Sequence, residues 1–160
     1  MPMTPGNIAW LAFLLCFVLS FSANGARAES STQVTAPTQF YVEDIKAAME
    51  KHVAAVVDAS ANFHIRDDVT SEDLTLKFIQ VHDPVRQIDG EVYFACTDFH
   101  VDGDSEKIYD IDFWLKEKEG ELVVFRTKIH KEPRKSLLYG WYKHPRYTFV
   151  NDEIEYLYSE

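Results

Sequence analysis

Cysteine is scarce in this chain, which has two among 160 residues. Cys16 lies inside an apolar N-terminal run, and Cys96 stands alone in the rest of the sequence. If the N-terminal run is removed, no intramolecular disulfide can form, so the fold must depend on its hydrophobic core.

The sequence also lacks the motifs by which common catalytic sites are recognised. It has no glycine-rich phosphate loop, no dinucleotide-binding fingerprint and no serine nucleophile elbow. Residues 102–106 have the composition of a calcium loop without its length and spacing, so they indicate a hairpin turn. No Asn-x-Ser/Thr acceptor occurs, which excludes N-glycosylation. The sequence therefore identifies no reaction, and we predict no cofactor.

Basic residues are outnumbered, with 16 Lys and Arg against 26 Asp and Glu and a net charge of −10 at pH 7. Such an acidic chain has no general attraction to nucleic acid or anionic lipid, so we predict no nucleic-acid partner. The basic residues are concentrated between positions 131 and 147, where Glu132 is the only acid. We expect this basic segment to pack against the acidic remainder of the chain. Its members are Lys131, Arg134, Lys135, Lys143 and Arg146.

The first 28 residues have the layout of a secretory signal peptide. Residues 8–21 form an uncharged apolar run, and Ala26-Arg27-Ala28 supplies small residues around a cleavage site. The run has about 14 residues, whereas a membrane-spanning helix needs about 20. We therefore predict cleavage after Ala28 and an exported protein, periplasmic or secreted. The alternatives are an uncleaved anchor, since no Lys or Arg precedes the run, and lipidation of Cys16, although Leu15 precedes it where a small residue is expected.

The remaining chain has the length of one domain. Residues 29–39 are predicted to be a polar linker, and residues 40–160 a single α+β domain. Apolar residues recur at three- and four-residue steps between Phe40 and Ala59, which is typical of a helix packed along one side. This apolar face comprises Ile45, Met49, His52, Val53, Val56 and Val57.

Four strands are predicted after the helix, at residues 74–81, 91–101, 107–116 and 121–130. The short connections between them require antiparallel neighbours, so the strands form a meander. Residues 62–73 are interpreted as a polar break and residues 82–90 as a turn. The aromatic segment after Pro133 either adds a fifth strand or folds over the sheet.

One helix followed by a curved antiparallel meander of four to five strands resembles the cystatin-like and NTF2-like architecture. The resemblance covers about residues 40–130 and depends on the order of the elements alone, since no family motif occurs. It implies a helix packed across one face of the sheet, and it implies no particular activity.

The two tight turns predict which residues of the sheet lie opposite one another. With the turns centred on residues 104 and 119, Phe113 lies opposite Ala95 on one side and opposite Phe125 on the other. Side chains alternate between the two faces of a strand. These three residues therefore belong to one apolar face, which we predict to be the core face beneath the helix.

The opposite face combines a free thiol, charged residues and aromatic rings. In the predicted register Asp112 lies between Cys96 and Arg126, and Phe94 and Trp114 add apolar surface at one end. We therefore expect this face to be covered and not exposed to solvent. The C-terminal aromatic segment is the first predicted cover, and a second copy of the chain is the alternative.

The same face carries a pair of like charges. Asp110 is predicted to lie between Asp98 and Lys128, and two facing carboxylates repel each other unless a cation compensates. A solvated face with ordinary charge pairs remains the plain alternative. The candidates for a binding site or an interface are Cys96, Asp98, Asp110, Asp112, Trp114, Arg126, Lys128 and Trp141.

We predict no metal site from this pattern. His100 and His130 come nearest to one because both flank Ile108 in the predicted register, but no His-x-His or Cys-x-x-Cys spacing marks a ligand pair. Thiol catalysis is also disfavoured, since His100 lies about 13 Å along the strand from Cys96. Cys96 is better explained as a covered structural cysteine.

The leading hypothesis is an exported protein that binds a ligand or a protein partner, without catalysis, with a homodimer through the polar face as one form. One alternative is a small NTF2-like enzyme that uses the aspartates of that face together with Arg126. Another is a peripheral surface binder that uses the basic-aromatic segment around Trp141, with salt-sensitive attachment to anionic vesicles. Apart from this last hypothesis, we expect no membrane contact once the leader is removed.

Overall fold

Residues 39–83, 85–88 and 90–158 are described by a computed structural model. The predicted signal peptide, residues 1–28, and the linker up to residue 38 lie outside the described residues. All described residues belong to one compact unit. None of their helices is both long enough and apolar enough to cross a membrane.

The helix α1 spans Val42–Val56 and packs on the sheet through Ile45, Met49 and Val53, which are buried. Its first turn is acidic, which suits the positive end of the helix dipole, and Asp44 accepts a hydrogen bond from the backbone N–H of Tyr41 at 2.8 Å. This buried stripe agrees with the predicted apolar face at three- and four-residue steps.

Two members of the predicted apolar face behave differently from the core residues. Val56 is exposed at the end of the helix. His52 lies edge-on to the ring of Phe113, with 5.8 Å between ring centroids, and burial lowers the pKa of its imidazole. His52 is therefore a neutral packing residue at the rim of the core.

Nine strands follow in the described part of the chain. They are β1 (Phe63–Arg66), β2 (Asp73–Val81), β3 (Arg86–Ile88), β4 (Val92–Val101), β5 (Asp104–Lys118), β6 (Glu121–Ser136), β7 (Gly140–Pro145), β8 (Tyr147–Val150) and β9 (Glu153–Tyr156). The first seven form one antiparallel sheet in the order β1-β2-β4-β5-β6-β7, with β3 beside β4. Strands β8 and β9 form a separate hairpin. One helix packed on an antiparallel sheet confirms the predicted α+β class.

The sheet has seven strands, whereas four to five were predicted. Strand β1 lies in the predicted polar break, and β3 lies in the predicted turn. Both are short, at four and three residues, so alternation of apolar and polar residues could not reveal them. Both alternatives for the C-terminal segment occur, since β7 extends the sheet and the β8–β9 hairpin does not join it.

The register between β4 and β5 is largely as predicted, with Ala95 opposite Phe113 and Thr97 opposite Ile111. The register between β5 and β6 was predicted wrongly, because Phe113 faces Thr127 and not Phe125. The pairing of Lys118 with Glu121 centres the turn between residues 119 and 120 and not on residue 119, and a bulge in β6 adds one more residue, which together give the shift of two. A second bulge lies farther along β6.

Each bulge leaves one residue of β6 without an opposite partner. Lys131 pairs with Asp110 and Ile129 pairs with Ile111, so His130 is the extra residue of one bulge. Phe125 is the extra residue of the other, between Val124 and Arg126. A residue count from the turn cannot include such insertions.

The main core lies between α1 and the sheet. Its fully buried members include Leu76, Phe99, Ile111, Phe113 and Leu115. Leu76 belongs to β2, and the other four are alternating residues of β4 and β5 that point towards the helix, so the residues between them occupy the outer face. A second, smaller cluster of Ile88, Phe94 and Trp114 lies on that outer face.

Truncating a core residue should cost much more stability than truncating an exposed one of the same type. Phe99 is fully buried, with ring centroids 4.8 Å from Phe63 and 5.8 Å from Phe78. Phe99→Ala should lower the free energy of unfolding in urea by about 3–5 kcal/mol. Phe125, at 48% exposure, is the matched control, and Phe125→Ala should cost less than about 1 kcal/mol. Equal losses would contradict this placement of the core.

Candidate functional site

The outer face of the sheet is covered by the chain's own C-terminal segment. Tyr147 is fully buried there, and the ring of Phe149 lies 5.0 Å from Phe94 and 6.4 Å from Trp114. This is the first of the two covers expected from the sequence. It leaves no exposed polar face around the central aspartates against which a second copy could pack.

Three aspartates lie beneath this cover. Asp110 and Asp112 are fully buried and Asp98 nearly so. As predicted, Asp98 lies opposite Asp110 and Cys96 lies opposite Asp112. Their proximity follows directly from the period-two alternation of β4 and β5.

The partners predicted for these aspartates on β6 were wrong. Asp110 faces Lys131 and Asp112 faces Lys128, where the sequence predicted Lys128 and Arg126 respectively. The displaced centre of the β5–β6 turn and the bulge at Phe125 shift the partner of Asp112 by two residues, and the bulge at His130 shifts the partner of Asp110 by one residue more.

Asp98 is held by side chains from two other elements. The Lys143 ammonium lies 2.7 Å from its Oδ1, and His82 Nε2 lies 2.8 Å from its Oδ2. Burial acts to raise the pKa of Asp98, but the hydrogen bonds from His82 and Lys143 outweigh it and lower that pKa. The bond to Asp98 in turn raises the pKa of His82. The like-charge pair is also relieved at Asp110, whose Oδ2 accepts a hydrogen bond from Lys131 at 2.7 Å.

Asp112 is held by the C-terminal hairpin. The Tyr147 hydroxyl donates to Asp112 Oδ2 at 2.7 Å, and His130 Nδ1 lies 3.4 Å from the same oxygen. The His130 ring stacks on the Tyr147 ring at 4.6 Å, and its Nε2 lies 3.1 Å from the Tyr147 carbonyl oxygen. Burial and the charge of Asp112 raise the pKa of the tyrosine hydroxyl, so it acts as a fixed proton donor.

Cys96 is partly buried beside the aspartates and forms no disulfide. Burial raises the pKa of its thiol, and the charges of Asp112 and Asp110 raise it further. A thiol in this state is a poor nucleophile. The arrangement agrees with a structural cysteine and gives no support to thiol catalysis.

Several polar atoms of this cluster have no hydrogen-bond partner in the described structure. They include Oδ1 of Asp110, Oδ1 of Asp112 and Nδ1 of His130. One ligand-type atom from each of four residues lies within 4.8 Å of the others, and the four are Cys96, Asp110, Asp112 and His130. A second such group consists of His82, Asp98 and Asp110.

The prediction that His100 and His130 both flank Ile108 is wrong for His130. His100 does lie opposite Ile108, but its Nδ1 is 2.9 Å from the carbonyl oxygen of Val101. His130 sits in the bulge and turns to Asp112 and Tyr147. Only one of the two weak metal candidates therefore belongs to the cluster.

The remaining sequence candidates lie apart from the buried aspartates. The Arg126 guanidinium lies over the Trp114 ring at 4.6 Å. Lys128 forms an ion pair with Asp68 at 2.6 Å. Trp141 lies in β7 and has the ammonium of Lys107 over its ring at 5.1 Å.

Sequence reasoning missed a second buried ion pair that fastens the start of β8. Arg146 donates two hydrogen bonds to Asp67, at 2.8 and 2.6 Å, and two to Glu132, at 2.9 and 2.6 Å. The only signal was the basic segment, whose expected packing on the chain's own acids is observed for Lys131, Lys143 and Arg146.

Beside this pair is a cleft of about 230 Å³ whose walls include Tyr147, Tyr156, Tyr158 and His144. Its cations are already paired with carboxylates, as Lys128 is with Asp68. The cleft is smaller than the roughly 300 Å³ at which ligand pockets usually begin. It offers aromatic walls without a free charge to orient a ligand.

The most unusual surface is the connection between β6 and β7, hereafter the apolar tip, which comprises Leu137, Leu138 and Tyr139. Relative to a fully exposed side chain, their exposures are 105%, 82% and 81%. Strand pairing continues up to Ser136 and Gly140, so the tip is as short as a hairpin connection of three residues.

Neutralising Asp67 should destabilise the fold in a pH-dependent manner. Burial acts to raise the pKa of Asp67, but the bonds from Arg146 and from two backbone N–H groups outweigh it and lower the pKa to about 2. The stabilisation is therefore complete above about pH 4, where the unfolded carboxyl is ionised, and is lost as the pH falls towards 2. Asp67→Asn should lower the free energy of unfolding by about 3 kcal/mol at neutral pH, with a smaller deficit in acid.

The matched control is Asp73→Asn. Asp73 pairs with Arg66 at 3.0 Å on the surface, and both side chains are exposed. Asp73→Asn should change the free energy of unfolding in urea by no more than about 0.5 kcal/mol. A deficit of Asp67→Asn that grows on acidification would contradict the sign of the linkage.

The described residues contain buried acids, histidines and a thiol, and burial raises the pKa of that Cys96 thiol. Each aspartate is engaged by a cation or by a hydroxyl beneath the hairpin, and none opens onto the cleft. No protein-family model, curated protein or solved structure matches this chain.

Proposed function

We propose that this is an exported protein that acts by binding and not by catalysis, and that its apolar tip attaches it to a lipid surface. The observation that carries the proposal is the exposure of three adjacent large apolar residues, Leu137, Leu138 and Tyr139. Single exposed apolar residues are ordinary, but a contiguous group is typical of a contact surface.

The fold itself gives no reason for apolar residues at this position. Hairpin connections usually carry Gly, Asn, Asp or Ser, which meet the backbone demands of the turn and stay hydrated. Here the turn is satisfied by Gly140, at a φ of 74°, and by the Ser136 hydroxyl, which accepts the Leu138 N–H at 3.1 Å. The three side chains are therefore available for binding.

The shape and composition of the tip favour a bilayer as its occupant. A convex tip of three residues cannot enclose a small molecule, whereas a bilayer accepts it directly. The two leucines can enter the acyl region while Tyr139, Tyr142 and Trp141 remain at the level of the headgroups. This arrangement supports the peripheral surface binder among the sequence hypotheses, and it replaces the expectation of no membrane contact.

Charge contributes less to this attachment than the sequence suggested. Of the nearby cations, Arg134 is paired with Glu132 and Lys143 with Asp98. Lys135 forms no ion pair in the described structure and lies 5.7 Å from the Trp141 ring. With Lys135 as the one free cation near the tip among the described residues, apolar insertion must supply most of the binding energy, and the dependence on salt should be modest.

The attachment should be weak and reversible. Complete burial of a leucine is worth about 1.5–3 kcal/mol, and insertion at an interface realises only part of that. An anchor of this size resembles a single acyl chain, which holds a protein only marginally. The protein would thus exchange between the surface and solution.

The finer parts of the proposal depend on the sequence. Export depends on residues 1–28, and the cystatin-like assignment within the α+β class depends on the order of the elements. The NTF2-like enzyme has no specific observation in its favour, because Asp110 and Asp112 are fully buried beneath the chain's own hairpin.

Replacing both leucines of the tip should strongly weaken binding to vesicles. The chain from Glu29 onwards is sedimented with mixed phosphatidylcholine and phosphatidylglycerol vesicles. The double variant Leu137→Ser, Leu138→Ser should lower the partition coefficient by about tenfold or more, because two apolar side chains no longer leave water. The natural chain should lose little binding when salt is raised.

The matched control is the double variant Val69→Ser, Val150→Ser, which removes two exposed apolar side chains elsewhere. It should bind vesicles as the natural chain does. Absence of vesicle binding by the natural chain overturns the proposal, and so does an equal loss in the two double variants. If the natural chain does not bind vesicles, the partner of the apolar tip is to be sought among proteins with an apolar groove.

A further inference from the structure

We propose that Cys96, Asp110, Asp112 and His130 bind a zinc ion beneath the C-terminal hairpin. Each residue offers one ligand atom, and the four atoms lie within 4.8 Å of one another. No residue of the apolar tip takes part, so this proposal stands independently of lipid binding. Three observations beyond the grouping itself point to a cation.

The first observation is the set of unpartnered atoms. Asp110 and Asp112 are fully buried, yet each keeps its Oδ1 without a hydrogen bond. Nδ1 of His130 is buried and lacks a hydrogen bond as well. Buried acceptors are almost always satisfied, and a cation would satisfy unpartnered atoms of three neighbouring residues together.

The second observation is the orientation of His130. A carbonyl oxygen only accepts, so the contact with Tyr147 O at 3.1 Å places the hydrogen on Nε2. Nδ1 then presents a lone pair to Asp112 Oδ2 at a distance of 3.4 Å. Two acceptors face each other, and a proton or a metal ion must lie between them.

The third observation is the support around the ligands. Metal-bound histidines usually donate their other N–H to a carbonyl or carboxylate, and metal-bound carboxylates are themselves hydrogen-bonded. His130 meets the first condition through Tyr147. Tyr147 and Lys131 meet the second by donating to Oδ2 of Asp112 and of Asp110. In each aspartate, Oδ1 remains free.

The backbone places His130 in this position by means of the bulge. Without the extra residue, β6 would continue its alternation and His130 would face a residue of β5 across the ladder. Bulges commonly occur where a side chain must be redirected towards a site. The ligands thus come from three neighbouring strands, β4, β5 and β6.

The donor atoms select zinc. Calcium and magnesium prefer oxygen alone, whereas a thiolate with an imidazole and two carboxylates suits Zn²⁺. On binding, the Cys96 thiol would lose its proton to solvent as the sulfur–zinc bond forms. Three carboxylates and one thiolate, set against Lys131 and Lys143, leave two negative charges for the divalent ion to neutralise.

The second group, His82 with Asp98 and Asp110, is the weaker candidate. Both oxygens of Asp98 already contact the Lys143 ammonium, at 2.7 and 3.0 Å, and His82 lies 2.8 Å from one of them. Asp98 and His82 are therefore already partnered to each other, and Asp110 is shared with the zinc group. Since the proposed site has four protein ligands and is covered by Tyr147, the zinc would be structural.

The test is metal binding by the chain from Glu29 onwards, stripped with a chelator and then titrated with Zn²⁺ or Co²⁺. We expect one zinc per chain by elemental analysis and a higher thermal midpoint with zinc. Cobalt should give a thiolate-to-metal charge-transfer band in the near ultraviolet and the intense visible bands of a tetrahedral site. The charge-transfer band should disappear in Cys96→Ser.

His130→Gln should lower zinc affinity by about 10-fold or more, while His100→Gln is the matched control outside the group and should bind as the natural chain does. Circular dichroism checks that each variant is folded. If His130→Gln is unfolded, Cys96→Ala carries the test, because it removes a ligand from a partly buried position. No stoichiometric zinc in the folded natural chain overturns the proposal, and so does equal binding by the natural chain and by the ligand variants.

Discussion

Carboxylates cannot be removed from water without partners, and this protein buries three of them on the outer face of its sheet. Strands β4 and β5 supply Asp98, Asp110 and Asp112. The partners come almost entirely from later in the chain, as Lys131, Lys143 and Tyr147. The need to pair these charges is what requires the C-terminal third to fold back over the sheet.

Two kinds of contact hold this cover in place. On one side, Phe149 packs with Phe94 and Trp114 as a small apolar cluster. On the other side, Arg146 joins Asp67 to Glu132 where β8 begins. The apolar contacts give burial energy without direction, whereas the bidentate guanidinium fixes the position and orientation of the hairpin. Together they explain how a short two-stranded hairpin, marginal by itself, stays ordered on the sheet.

The sequence predicted the sheet correctly where side chains alternate without interruption between the two faces of a strand, and it failed where that alternation is broken. Between β4 and β5 a tight turn and strict alternation gave the correct opposition of Cys96 and Asp112. Across β5 and β6 the same reasoning failed, because the turn is centred one half-residue from the predicted position and the bulges at Phe125 and His130 leave no mark in composition. The candidate aspartates were therefore found from the sequence, while their partners were not. The contact of Arg146 with Asp67, 79 positions apart, is a tertiary pairing that no local pattern encodes.

The hairpin of β6 and β7 connects the buried charges with the apolar tip. Lys131 in β6 binds Asp110 and Lys143 in β7 binds Asp98, so each strand of the hairpin is fastened to the sheet by an ion pair. Beyond these points, strand pairing continues to Ser136 and Gly140 and holds the tip on a stiff support. A rigid element loses little conformational entropy when it binds, so even a small apolar contact can produce useful affinity. The buried aspartates, which touch no ligand at the tip, would in this way contribute to binding by fixing the hairpin that presents it.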